Sequence, residues 1–174
     1  MKLTLLILLL CIGLLQPCTL HSETLQLASS NYYPHYAEDL PQQGAVSEVV
    51  RQAFLVQGIN IQSNFMPFAR ALRQSQHADY IGLVAAWYDD ERAQHFYYSQ
   101  PLYANQIVFF KRKSQAVSYR DYADLSNQGL RLGLVQGYLQ PQGLRQSQPN
   151  LVQVATDEQA FLMLAKSRVD LVPA

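Results

Sequence analysis

Residues 46–65 read VSEVVRQAFLVQGINIQSNF, and the apolar period changes at Gly58. Before it, Val46, Val49, Val50, Ala53 and Phe54 fall at i, i+3, i+4, i+7 and i+8, which is one face of a helix. After it, Ile59, Ile61, Ser63 and Phe65 alternate onto one face of a strand. Gly58 between them suits the helix C-terminus. Working outward, residues 24–28 alternate as an earlier strand, followed by a loop through Tyr32, Pro34 and His35 that stays polar to Gly44. Pro67 opens a second helix at its first turn. Residues 80–86 form a nearly continuous apolar run, the pattern of a strand covered on both faces. Strands alternating with helices predict a mostly parallel α/β sheet.

Beyond Arg92 the pattern changes and then repeats its logic. Residues 95–99 and 107–111 read as extended, and the charged Lys111-Arg112-Lys113 leads into a polar stretch up to Leu125. A second α/β set follows. Residues 130–135 are a strand ending in Gln136-Gly137, residues 140–146 a weak helix opened by Pro141, and residues 151–154 a strand. Thr156 with Gln159 forms a capping box, with Ala160, Phe161, Leu164 and Ala165 as the apolar face behind it. Residues 169–172 make one more strand. The chain therefore reads as two successive α/β units joined near residues 107–113. It stops at Ala174 in or just after a strand, with no closing helix. The second unit is expected to be incomplete, as in a truncated form of a longer protein.

The chain has 174 residues, with 13 Lys+Arg against 13 Asp+Glu and a formal net charge of zero. An apolar fraction of 49% with 15% charged residues is enough for a packed core and too apolar for a disordered chain. The neutral balance argues against a protein that tracks a phosphate backbone, so no nucleic-acid partner is expected. The 11 Tyr hint at a binding surface, because each offers a flat apolar face with a polar tip; plain packing is the alternative.

Residues 1–22 read as an export signal. Lys2 supplies the positive charge, residues 3–15 the apolar run, and Gln16-Pro17 ends it. The run is short of the ~20 residues a membrane span needs and fits a cleavable signal, with cleavage after Ser22. A lipid anchor at Cys18 and an uncleaved anchor are the alternatives. Cys11 and Cys18 both lie in this segment, so the mature chain reaches an oxidising compartment without a disulfide. The core must hold it.

Several chemistries find no support. His35, His77 and His95 are not spaced as a metal pair, and no cofactor or metal is expected. There is no phosphate-binding glycine loop and no G-x-S-x-G nucleophile turn. Asp89-Asp90-Glu91 reads as a solvated helix start, with a general acid/base pair as the sharper alternative. Lys111-Arg112-Lys113 reads as a solvated strand exit.

Several pieces then line up in order. They are Tyr32-Tyr33-Pro34 after the first strand, Gly44 before the helix carrying Glu48, and Pro67-Phe68-Ala69-Arg70-Ala71. Next come Asp79-Tyr80-Ile81-Gly82, Glu91-Arg92, Ser99-Gln100-Pro101-Leu102-Tyr103, residues 132–138, and Arg168-Val169-Asp170-Leu171. From residue 23 to the end, the chain resembles the family 3 extracellular solute-binding proteins, the amino-acid receptors of ABC importers. The resemblance implies a periplasmic-binding-protein type II α/β fold with two lobes and a central cleft. Residues 23–107 would be the first lobe, 108–113 the crossing strand and 114–174 an incomplete second lobe.

It further implies binding of a small polar or carboxylate-bearing solute by lobe closure, without catalysis, and handover to an inner-membrane permease. Arg92 matches the family's carboxylate-gripping Arg, for which a planar guanidinium is suited; a surface pair with Asp89 or Glu91 is the alternative. Tyr32 matches an aromatic that packs on the ligand. Ala85, Ala86 and Trp87 stand where members often carry hydroxyls, which suits a bulkier or more apolar ligand. Gly137 and Tyr138 would offer backbone N–H groups from the second lobe, and Arg70 would face the cleft or form a surface ion pair. A sensor input domain and a dehydratase on the same fold are the rival functions.

Overall fold

The computed structural model describes residues 24–174. The export signal expected over residues 1–22, with both cysteines, lies outside the described residues. Strand β1 (Thr24–Ser29) is the middle of a three-stranded parallel sheet. It pairs along its full length with β2 (Asn60–Phe65), Thr24 opposite Asn60 through Ser29 opposite Phe65. On its other side, Leu27 and Ala28 pair with Gly82 and Leu83 of β3 (Gly82–Leu83). A central strand is covered on both faces, and the second half of β1 is buried without alternation from Leu27 to Ser30.

The expected helix is α1 (Ala45–Leu55). Val46, Val50 and Phe54 pack with Leu27, Tyr36 and Val84. Val49, which the periodicity assigned to the same face, is 54% exposed. A two-residue β3 gives the helix a narrow bed, so only the i, i+4, i+8 stripe is covered. Gly58 closes the helix as expected. At φ 72° its N–H donates to the Leu55 carbonyl, and Ile59 N–H reaches back to Phe54. This is the paired C-terminal arrangement that favours glycine. Gly44 precedes α1 at φ 92°, and a Cβ there would lie 2.6 Å from the His35 carbonyl oxygen. The next helix, α2 (Phe68–Gln74), begins after Pro67 and buries Phe68 and Ala71.

The strand expected over 80–86 is shorter than its composition suggests. Ile81 and Val84 N–H groups still donate to β1, but Ala85 turns out of the sheet at φ 52°. Apolar content predicted burial there, not extension.

The C-terminal half builds a second sheet. Strand β5 (Arg131–Val135) pairs in parallel with β6 (Asn150–Val154). Leu132 also bridges to Leu171, just ahead of β7 (Val172–Pro173), and β7 runs antiparallel to β4 (Phe109–Phe110). Gly133 lets β5 approach this edge, since a Cβ there would sit 3.2 Å from a Val169 methyl. Helix α3 (Tyr122–Asn127) lies in the stretch read as merely polar. Asp121 caps it through Asp124 N–H, and Leu125 is fully buried with Leu132, Leu144 and Leu171. Helix α4 (Gln142–Gln146) follows Pro141 as expected. Helix α5 (Asp157–Ala165) is capped by Thr156, while Gln159 reaches the Ala155 N–H, one residue earlier than the usual reciprocal bond. Ala160 and Leu164 are buried; Phe161 and Ala165 lie on its exposed side.

Asp170 ties this sheet together. Its carboxylate accepts from the Arg131 N–H at 2.9 Å and from Arg131 Nε at 3.0 Å, with Arg112 at 3.4 Å on the other oxygen. Arg112 also donates to the Leu164 and Val169 carbonyls. Arg131, first among these partners, holds the Asp170 carboxyl down to about 2. The folded chain therefore binds this proton less readily than the unfolded one. Its stabilisation is complete above the ordinary carboxyl range and disappears as pH falls toward 2. We expect Asp170→Asn to cost about 1 kcal/mol at pH 7, discounted because Arg131 is partly in water. Urea unfolding of parent and variant should converge as pH approaches 2.

Candidate functional site

The parallel strands of both sheets aim their C-terminal ends at one region. Ser30 follows β1, Met66 to Phe68 follow β2, Gly137 and Tyr138 follow β5, and Ala155 to Asp157 follow β6. In open α/β sheets this is where ligands are held, because the strand ends leave a crevice flanked by loops and helix starts.

Aromatic rings bridge the two sheets there. Tyr138 stands edge-on to Phe68 at 5.1 Å and to Tyr32 at 6.2 Å between ring centroids. Tyr32 stacks on His35 at 5.6 Å, and His35 on Tyr103 at 4.8 Å. The Tyr32 hydroxyl accepts from Asn105 at 2.9 Å. Such edge-on and offset pairs add about 0.5–1.5 kcal/mol each beyond the area they bury. Gly137 allows the approach: at φ 87°, a Cβ would lie 3.3 Å from the Phe68 ring and 3.4 Å from Ala69 Cα.

Arg92 closes the bridge from the first sheet. Its Nη2 donates to the Gly137 carbonyl at 2.5 Å and its Nη1 to the Trp87 carbonyl at 3.2 Å. Its guanidinium carbon lies 5.5 Å from the Phe68 ring centre, a cation–π placement. The ion pair with Asp89 or Glu91 weighed from the sequence is not formed. Asp89 instead accepts the backbone N–H groups of Glu91 and Arg92 as a turn cap.

Beneath the aromatic bridge lies a cavity of about 220 Å³, walled by Ser30, Asn31, Glu38 and Phe68 on one side and by Tyr138 and Asp157 on the other. The Tyr138 hydroxyl donates to Asp157 Oδ2 at 2.7 Å. Asp157 Oδ1 is buried and has no hydrogen-bond partner. Burial raises the Asp157 carboxyl above its ordinary range, against the lowering effects of the Tyr138 bond and of a bond from its own backbone N–H. Burial and the Asp157 charge together push the Tyr138 phenol far up, so it stays a donor at any working pH. A second, wider cavity of about 570 Å³ is lined by Trp87, Tyr88, Asn105, Ile107, Leu139 and Gln140.

Of the residues expected from the sequence, Tyr32, Arg92, Gly137 and Tyr138 come together at the bridge. Trp87 lends its carbonyl to Arg92 while its side chain lines the second cavity. Ala85 packs against the first core with Leu27 and Val84, and neither cavity has it in its wall. Arg70 is exposed on α2, also outside both walls. Sequence reading did not assign Glu38, Phe68 or Asp157 to the site. Asp157 carried one usable signal, a carboxylate at a helix start placed directly after a strand. Among the described residues no group of three or more His, Cys, Asp or Glu is placed to hold a metal ion, and no helix is long and apolar enough to cross a membrane.

This architecture is the two-lobed type II fold of the periplasmic amino-acid-binding proteins, and three solved structures make the likeness concrete. An ancestral arginine-binding protein bound to arginine is 18% identical, with a TM-score of 0.74 over 88% of this chain and 71% of that one. Holo ArgBP from T. maritima is 18% identical, with a TM-score of 0.73 over 87% and 68%. An amino acid ABC transporter substrate-binding protein from Streptococcus pneumoniae, bound to L-arginine, is 22% identical, with a TM-score of 0.71 over 86% and 65%. No family model and no curated protein matches the chain.

Because Arg92 bonds the carbonyl of the chain's single Trp, Trp87 reports on the bridge. Replacing Arg92 with Ala should shift Trp87 emission to longer wavelength. It should also lower stability by about 1 kcal/mol, the order of one charge-assisted hydrogen bond at a half-exposed site. Fluorescence and thermal melts of the two proteins check both.

Proposed function

We propose that the chain is a solute-binding protein of extracellular family 3 that clamps a small amino-acid-like solute between its two lobes and performs no chemistry on it. The observation that carries this reading is the cavity whose walls come from the strand ends of both sheets. A solute seated there would touch Phe68 and Asn31 of one lobe and Tyr138 and Asp157 of the other. Binding and lobe closure would then be one event, the hinge mechanism of two-lobed receptors. The lobes would be residues 23–107 and 114–174, with 108–113 crossing between them. The signal-like residues 1–22 support export to the periplasm, and an inner-membrane ABC permease would be the partner that accepts the closed form.

Tyr32, Gly137 and Tyr138 would frame the solute. Arg92 holds the Trp87 and Gly137 carbonyls with one N–H of each terminal nitrogen, and its remaining N–H groups would be the ones to meet a solute carboxylate. Ala85 and Arg70 would act at most indirectly.

A thermal-shift panel of the purified chain against the common amino acids tests the reading. A solute at 100 times its Kd stabilises the native state by about 2.7 kcal/mol. One chemical class should raise the melting temperature, and Tyr138→Ala, which removes the shared wall, should abolish the rise. A cooperative melt that no solute moves would sink the proposal.

A further inference from the structure

The wide cavity is walled by side chains that no core uses. Trp87, Tyr88, Ile107, Val108 and Leu139 line it, and none of them belongs to the three clusters of buried residues or packs against one. Trp87 is 44% exposed and Val108 49%, and Tyr88 and Ile107 are exposed as well. Single exposed apolar residues are ordinary, but a set gathered in one concavity marks a binding surface. At about 570 Å³ the cavity falls within the ~300–1,000 Å³ of ligand pockets, a range that the 220 Å³ cavity does not reach.

The polar part of this wall selects against charge. It holds no Lys, Arg or His. Its one acid, Asp89, is committed as a turn cap, with Oδ1 accepting from the Glu91 and Arg92 N–H groups. The rest are the amides of Asn105, Gln106 and Gln140, which donate and accept without charge. An ionised group seated here would lose water and gain no counter-charge. A sugar ring fits no better, because it carries hydroxyls around its whole rim. Those facing Ile107, Val108 and Leu139 would be desolvated without a partner. A flat aromatic ring loses nothing against the same three residues, and it stacks on an indole or a phenol. The cavity adjoins the aromatic bridge: Leu139 directly follows Tyr138, and Asn105 donates to the Tyr32 hydroxyl.

We infer that the wide cavity takes an uncharged aromatic ring, stacked against Trp87 with the Asn105, Gln106 and Gln140 amides around its edge. The inference rests on the solute-binding reading above and narrows it: the solute's side chain is aromatic, and basic and acidic side chains are selected against.

The test is isothermal titration of the purified chain with six solutes: L-tryptophan, L-phenylalanine, L-arginine, L-lysine, L-glutamate and D-glucose. At least one aromatic amino acid should bind about tenfold or more tightly than any of the other four. L-Phenylalanine should also shift the emission of Trp87, the chain's single Trp, to shorter wavelength, because a stacked ring displaces water from it. Trp87→Ala should weaken aromatic binding by roughly tenfold, the scale of one lost ring contact, and Trp87→Phe should recover most of that loss. Both variants should melt cooperatively, since Trp87 packs in no core. Ile107→Asp, at an exposed position, should weaken aromatic binding by placing a charge in the wall. Tighter binding of arginine, lysine or glutamate than of either aromatic amino acid would overturn the inference and leave solute binding standing. So would unchanged aromatic affinity in a folded Trp87→Ala. Binding of glucose alone, or of none of the six, would overturn both.

Discussion

The contact of Tyr138 with Phe68 and Tyr32 is what turns two separate sheets into one site. Each sheet has its own core: Leu27, Tyr36, Val46 and Val84 in the first, Leu125, Leu132, Leu144 and Leu171 in the second. The two cores share no residue. The bridge is therefore the place where their relative position is decided, and one side chain serves three partners there. Its ring meets two aromatics of the first sheet, and its hydroxyl fixes a carboxylate of the second. A phenol suits this double duty because it is a large apolar face with one donor at its edge.

That bridge demands precision from the strands beneath it. Tyr138 lies only three residues beyond β5, so any slip of β5 would move it out of reach of Phe68. The register of β5 is held by pairing with β6 along its length and by the Asp170 carboxylate, which grips the Arg131 backbone and side chain together. Gly133 removes the side chain that would hold Val169 away. The ion pair contributes little as an isolated surface bond. Its value lies in fixing a strand with no disulfide among the described residues to do so.

Periodicity carried most of the fold. The switch at Gly58 located α1 and β2, and the Thr156 capping box located α5, because each combined a repeat with a terminal signal. The misses have a common cause. α3 is six residues long and mostly polar, so it shows no stripe; its Asp121 cap was the only local clue. The run over 80–86 was apolar because it is buried, yet Ala85 leaves the sheet through a left-handed turn that composition does not encode. At the site, Tyr32, Gly137 and Tyr138 were legible as loop residues after strands. Asp157 was legible only as a cap component. Its second role depends on a cross-sheet partner, and no single-chain spacing reveals that.

The two cavities divide the chemistry of the cleft in a way that follows from one turn. Successive residues Tyr138 and Leu139 line different cavities, a polar donor in the small one and an aliphatic group in the wide one. The small cavity pairs its aromatic wall with carboxylates. The wide one pairs Trp87, Ile107 and Leu139 with amides, including a buried Gln140 oxygen that lacks a donor. Arg92 reaches from the Trp87 carbonyl to the Gly137 carbonyl, so its guanidinium ties a residue of the wide cavity's wall to the turn that carries Tyr138. A cation placed between neutral carbonyls in this manner orders the backbone on both sides.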